Sequence, residues 1–90
     1  GKNHKGLFRK ALKIKKGSIK WIRSDLKIDF DHRMDVFVRI RYRQPLQEAV
    51  LFKKKEGFFI VFKDFQSSIT SGQFAAWYIG EELIGSGVIN

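Results

Sequence analysis

Asp35–Gln44, reading DVFVRIRYRQ, is the most regularly patterned stretch of the chain. Val36, Val38, Ile40 and Tyr42 alternate with Phe37, Arg39, Arg41 and Arg43. Period-two alternation marks a half-buried β-strand, here with a β-branched face inward and a row of guanidinium groups outward. Alternate residues on a strand lie about 6.6 Å apart, so Arg39, Arg41 and Arg43 form a cationic ridge roughly 13 Å long. Like charges in a row repel, and guanidinium pairs bidentately with phosphate, so a nucleic-acid backbone is one fitting occupant. A solvated strand face balanced by carboxylates on neighbouring strands is the other reading. The pattern alone does not choose between them.

Downstream, Gln44-Pro45 closes this strand, because proline cannot donate to a ladder. Glu48–Lys54 follows as a strand with Ala49, Leu51 and Lys53 on one face and Val50 and Phe52 on the other. Lys55-Glu56-Gly57 is a tight connection into Phe58–Asp64, which predicts a hairpin. Phe58 to Phe62 is apolar on both faces, so this strand should be covered on both sides; exposed on an edge it would self-associate. Gln66–Ser71 is a polar link anchored by Ile69. Gln73–Ile79 and Leu83–Ile89 form a last pair of strands around Gly80-Glu81-Glu82. Gly85 and Gly87 fall on one strand face and leave a bare backbone groove, where the sheet can bend or another chain can approach.

Upstream, residues 1–9 read as a tail or the stub of a preceding domain. Ala11–Ile14 is a short strand, Gly17-Ser18 a turn, and Ser18–Arg23 a less regular extended piece. Asp25–Met34 is a polar loop. No helical periodicity persists beyond about two turns. Short strands with regularly spaced turns predict an all-β fold, a small antiparallel β-barrel of about six strands, with a β-sandwich as the alternative.

The chain's 90 residues are 43% hydrophobic and 14% aromatic, enough for one packed domain and against a disordered tail. Without cysteine there is no disulfide, thiolate metal site or cysteine nucleophile. No run of apolar residues is long enough to span a membrane as a helix, and the N-terminal stretch lacks a signal core, so a cytoplasmic protein is expected. The net charge of +9 is unevenly spread. Residues 1–30 hold ten Lys/Arg against two Asp, residues 31–60 seven against four, and residues 61–90 one against three. Such asymmetry is the footprint of a protein that meets a polyanion. A membrane surface would call for an amphipathic helix, and none is predicted.

Catalytic chemistry finds no foothold. His4 and His32 lack ligand-spaced partners, and Asp29 and Asp31 beside His32 read as a polar surface turn rather than a metal site. No serine stands in a nucleophile elbow. Gly85-Ser86-Gly87 cannot open a nucleotide-binding helix so close to the chain end. Basic residues do interleave with aromatics: Phe8 near Arg9 and Lys10, Trp21 between Lys20 and Arg23, Phe37 beside Arg39, Tyr42 between Arg41 and Arg43. Small barrels offer such surfaces to RNA, with cations on the backbone and aromatics on bases. Taken singly, Trp21, Phe37, Tyr42 and Trp77 are each better read as core or half-buried side chains, and the summed charge is the stronger argument for RNA.

Three separated segments carry a family resemblance: RIRYRQ at 39–44, ITSGQFAAWY at 69–78, and GEELIGSGVI at 80–89. Together they resemble the C-terminal β-barrel of the tRNA-specific 2-thiouridylases, over roughly residues 35–90. Residues 7–23, with Trp21, more weakly resemble the end of that family's central domain. Residues 1–34 are therefore expected to be the end of the central domain or a basic linker with short strands, and 35–90 the barrel. Two positions depart from the family pattern. Ser71 stands where it has proline, and Gly85-Ser86-Gly87 stands where it has three glycines.

The resemblance implies a parent enzyme that adenylates the wobble uridine of tRNA with ATP and transfers a persulfide sulfur through catalytic cysteines. Those cysteines and the ATP-gripping loop belong to an N-terminal domain with no counterpart here. This chain is then expected to be non-catalytic, without cofactor or metal, and monomeric. Its expected partners are tRNA, its own catalytic domain and a sulfur-carrier protein, with no membrane. The RNA-contact residues expected from charge and pattern are Arg39, Arg41 and Arg43, then Lys20, Arg23, Lys53, Lys54 and Lys55. A structural module that packs on the catalytic domain, or an unrelated translation-factor-like RNA-binding barrel, are the rival readings.

Overall fold

A computed structural model of the chain describes residues 8–40, 44–67 and 69–90. Seven strands form one antiparallel sheet: β1 (Phe8–Ile14), β2 (Lys20–Trp21), β3 (Arg33–Arg39), β4 (Gln47–Lys54), β5 (Gly57–Ser67), β6 (Phe74–Ile79) and β7 (Glu82–Val88). Their order across the sheet is β1-β5-β4-β3-β6-β7-β2. The sheet curls into a small β-barrel, as expected, and a two-sheet sandwich is excluded because all the pairings belong to one sheet.

The first strand and its continuation join the barrel's two edges. Ile14 bridges Ile89, flanked by bonds from Lys15 N to Val88 O (2.6 Å) and from Asn90 N to Lys13 O (2.9 Å). The chain then turns at Gly17 (φ 82°) and returns to the same edge of β7, pairing Lys20 with Ser86 and Trp21 with Gly85. Ser18 Oγ pins the turn, donating to Lys15 O (2.7 Å) and accepting from Val88 N (2.9 Å). Residues 8–34 therefore supply two barrel strands, and the expected boundary between a linker and a barrel at residue 35 is not where the fold divides. Pairing of β1 with β5, some 50 residues away, is invisible to a local reading.

The core follows the period-two pattern. Leu12 and Ile14, Val36 and Val38, Ala49 and Leu51, and Phe58, Ile60 and Phe62 all point inward. On β5 the outward residues Phe59 and Val61 are half-buried, so one face of that strand is sealed and the other partly open. Trp77, fully buried, stacks on Phe58 (5.4 Å between centroids), and Trp21 meets both rings edge-on. Gly85 makes room for this group. It is the cross-strand partner of both tryptophans, and a Cβ there would stand 2.7 Å from Trp77 Nε1 and 2.9 Å from Lys20 O. The groove expected at the two glycines thus exists and is filled by the chain's own Trp77 and, at Gly87, by Ile14.

Several boundaries moved, and β1 begins at Phe8 rather than Ala11. β3 begins at Arg33, not Asp35, because Arg33 and Asp35 face outward on a strand that reads locally as a polar loop. It ends at Arg39, and Ile40 and Gln44 lie outside any strand, so the strand expected over 35–44 is shorter at that end among the described residues. Arg41, Tyr42 and Arg43 lie outside the described residues. β5 runs on to Ser67, past the expected end at Asp64.

Candidate nucleic-acid interface

The expected contact residues fall at opposite ends of the barrel. β3 runs from Arg33, paired with Phe52, to Arg39, paired with Ala76. Six residues of strand separate those positions, roughly 20 Å. Lys53, Lys54 and Lys55 lie near the Arg33 end, at the tip of the β4–β5 hairpin. Arg39 lies at the other end.

At the lysine end several segments converge. The Lys54–Gly57 pairing closes the hairpin, and Phe58 stands between Lys53 on β4 and Ile14 on β1. Lys13 extends across the hairpin, so that a Cβ on Gly57 would meet its Cε at 2.8 Å. The turn before β3 docks alongside, through Asp31 N to Lys53 O (2.6 Å) and Lys53 N to His32 O (3.2 Å). Asp31 adopts φ 65° there and pairs with Lys54 Nζ at 3.1 Å. Among the described residues that is the ion pair of this end; Lys13, Lys53, Lys55 and Arg33 have no carboxylate within salt-bridge distance. Phe30, 58% exposed, projects from the same turn. His32 Nδ1 sits 3.0 Å from Phe30 O, which accounts for this histidine as part of the turn.

Arg39 is in a different environment. Its guanidinium lies over the Tyr78 ring (5.5 Å to the centroid), and its Nε is buried with no hydrogen-bond partner. No carboxylate engages it among the described residues. Around it the polar groups of the chain satisfy one another. Ile40 N donates to Gln44 Oε1 (2.9 Å), Gln44 Nε2 to Gln66 Oε1 (3.1 Å), and Gln66 Nε2 to Asp64 O (3.1 Å) and Gln47 Oε1 (3.4 Å). Gln66, 5% exposed, is the buried polar residue among those described. This amide network joins Ile40 and Gln44 to Gln47 and Gln66.

Arg23 is already engaged. It binds Asp25 through two bonds (2.9 and 2.7 Å) and Glu82 through a third (2.7 Å). These hydrogen bonds raise the guanidinium's pKa, and the bond from Arg23 holds the Asp25 carboxyl below its ordinary range. A phosphate reaching Arg23 must displace two carboxylates, which places it last among the expected contacts. Lys20 stays exposed on β2.

The interleaving of cations with aromatics exists, across strands for Lys10, Lys13 and Arg39 and along β4 for Lys54. Lys13 lies over Phe59 (5.9 Å), its register partner, and Lys54 over Phe52 (5.8 Å), two residues back on the same face. Lys10 lies over Phe65 (5.8 Å). Phe37 is not the partner of Arg39, and Trp21 belongs to the core cluster. Lys13 and Arg33 were missed because their companions are set by register. Knowing that β1 pairs with β5 would have found the first.

A family model for the aminomethyltransferase beta-barrel domain matches residues 10–89. The chain belongs to this family. The match includes β2 and all but the start of β1, in agreement with a single barrel. The tRNA-specific 2-thiouridylase MnmA of Flavobacterium johnsoniae is 51% identical over 88 residues, covering 98% of this chain and 22% of its own length. The enzyme of the same name from Christiangramia forsetii is 49% identical over 90 residues, and that from Karelsulcia muelleri 43%, each covering 100% of this chain and 23% of its own length. The chain spans less than a quarter of these relatives and corresponds to their C-terminal part. No helix among the described residues is long and apolar enough to cross a membrane.

Proposed function

We propose that this barrel holds tRNA for a tRNA 2-thiouridylase, the parent enzyme thiolating the wobble uridine with ATP and a persulfide sulfur. The observation that carries the proposal is the lysine end. Among the described residues, Lys13, Lys53, Lys55 and Arg33 gather from three strands and a hairpin tip with no carboxylate in salt-bridge range, in a chain whose relatives carry tRNA in their names. Clustered cations not paired with carboxylates are stabilised by a polyanion, and phosphate supplies the charge in a regular array. Arg39, at the far end of β3, and Lys20, on β2, extend the contact set, and Arg41 and Arg43 join it from the sequence pattern. Such contacts position the tRNA and carry no base code, so the choice of uridine belongs to the parent's catalytic domain.

The test is a titration of the chain with tRNA over a range of salt. The logarithm of the affinity should fall linearly with the logarithm of salt concentration, and Arg41→Gln should reduce the slope by about one. Binding insensitive to salt would remove the proposal.

A second reading has its own observation. On the outer face of β3, β4 and β5 lies a groove of about 500 Å³ lined by Phe37, Val50, Val61 and Ile79 and edged by Asp35, Glu48 and Lys63, the last two an ion pair (3.8 Å). Its apolar floor and mixed, partly self-paired charges suit a protein surface better than a phosphate chain. This face fits packing on the parent's catalytic domain or on a sulfur-carrier protein, and it leaves the lysine end open to tRNA.

A further inference from the structure

We infer that the cross-strand pair Phe52–Phe59 is a stacking platform for unpaired RNA bases, with Lys13 and Arg33 holding the flanking phosphates. The inference rests on the tRNA-holding reading and assigns to that surface a contact with bases. Phe52 on β4 and Phe59 on β5 are register partners, which places their Cβ atoms about 5 Å apart on the outer face. Arg33 is the partner of Phe52 on β3, and Lys13 the partner of Phe59 on β1. Four adjacent strands thus carry the row Arg33, Phe52, Phe59, Lys13, about 14 Å from end to end.

Both rings are half-buried, so each is fixed by the sheet yet reaches the surface. Lys13 Nζ and Lys54 Nζ lie 5.9 and 5.8 Å from the two ring centroids, one ammonium to each ring. Such a row matches a strand of nucleotides: a flat base over each ring and an anionic phosphate at each flank. A protein surface docked here would desolvate Arg33 and Lys13 without partners, which is costly. The neighbouring row, Asp35, Val50 and Val61, carries a carboxylate and marks the side that a phosphate chain avoids.

The experiment compares two fluorescent probes bound to the 90-residue chain: a single-stranded RNA hexamer and the same hexamer with its bases removed. They carry the same phosphates, so charge alone binds them equally. The base-bearing hexamer is expected to bind roughly 5- to 100-fold more tightly, the range for stacking on an aromatic side chain. The paired substitution Phe52→Leu and Phe59→Leu should abolish that difference while leaving the salt slope unchanged. Phe52→Trp with Phe59→Trp should restore it, which mere loss of packing would not predict. Equal affinity for both hexamers, or a difference that survives the leucine substitutions, overturns the platform while salt-dependent tRNA binding stands. Absence of salt-dependent binding to any of these RNAs overturns both.

Discussion

The two ends of the barrel use polar residues in opposite ways. At the glutamine end, Gln44, Gln47 and Gln66 donate to and accept from one another and from the backbone, and Gln66, the most buried of them, makes three such bonds. At the lysine end, Lys13, Lys53, Lys55 and Arg33 are like-charged, and among the described residues Lys54 is the member with a carboxylate partner. Polar groups that satisfy each other fix a structure, whereas like charges that cannot do so await an external counter-ion. The first arrangement has the form of a scaffold and the second is the proposed binding surface, although composition alone would rank both as hydrophilic.

Substitutions that break this contrast have separable outcomes. Replacing Lys53, Lys54 and Lys55 together by Gln should have the largest effect. The slope of log affinity against log salt should fall by about two to three units, with tRNA affinity down roughly a hundredfold or more at low salt and urea stability unchanged. Gly85→Ala attacks the apolar floor beneath the lysine end, where backbone and Trp77 leave no room for a methyl group. Urea unfolding should show a loss of up to about 3 kcal/mol with the salt slope preserved. Gln66→Leu removes a buried amide that accepts from Gln44 Nε2 and donates to Asp64 O, and should cost about 1–3 kcal/mol by the same assay, again with an unchanged slope. A change in slope from Gln66→Leu would blur the division between the two ends.

The smallest effect concerns pH. Because Arg23 lowers the Asp25 pKa in the folded chain, this carboxylate contributes stability at pH values above its ordinary 3.8. That contribution is lost as the pH falls through the lowered value. An NMR titration of Asp25 should show the depressed midpoint, and Arg23→Gln should return it toward 3.8.

What the sequence revealed follows from how local each feature is. The β4–β5 hairpin was readable because alternation and the Lys55-Glu56-Gly57 turn are adjacent in the chain, and its fold class followed from repetition of such units. Placement of β1 and β2 in the barrel was not readable, since their partners Phe58–Ser67 and Gly85–Ser86 are distant and no local signal encodes register. Gly85 and Gly87 announced a close approach, but only packing could name Trp77 and Ile14 as what approaches. Within the site, Lys53–Lys55 were visible as a charge run. Lys13 and Arg33 became members through cross-strand neighbours, and Arg23 lost its standing to Glu82, 59 residues away. Gln44 and Gln66 looked like loop residues because a carboxamide's partners cannot be counted along one strand.

The central claim, that the lysine end grips tRNA, is tested most directly by amide chemical-shift mapping of the labelled chain during tRNA titration. Shifts should be largest for Lys13, for residues 30–33 and for the hairpin tip at 52–57. If those amides stay still while tRNA binds, the lysine end is not the gripping surface.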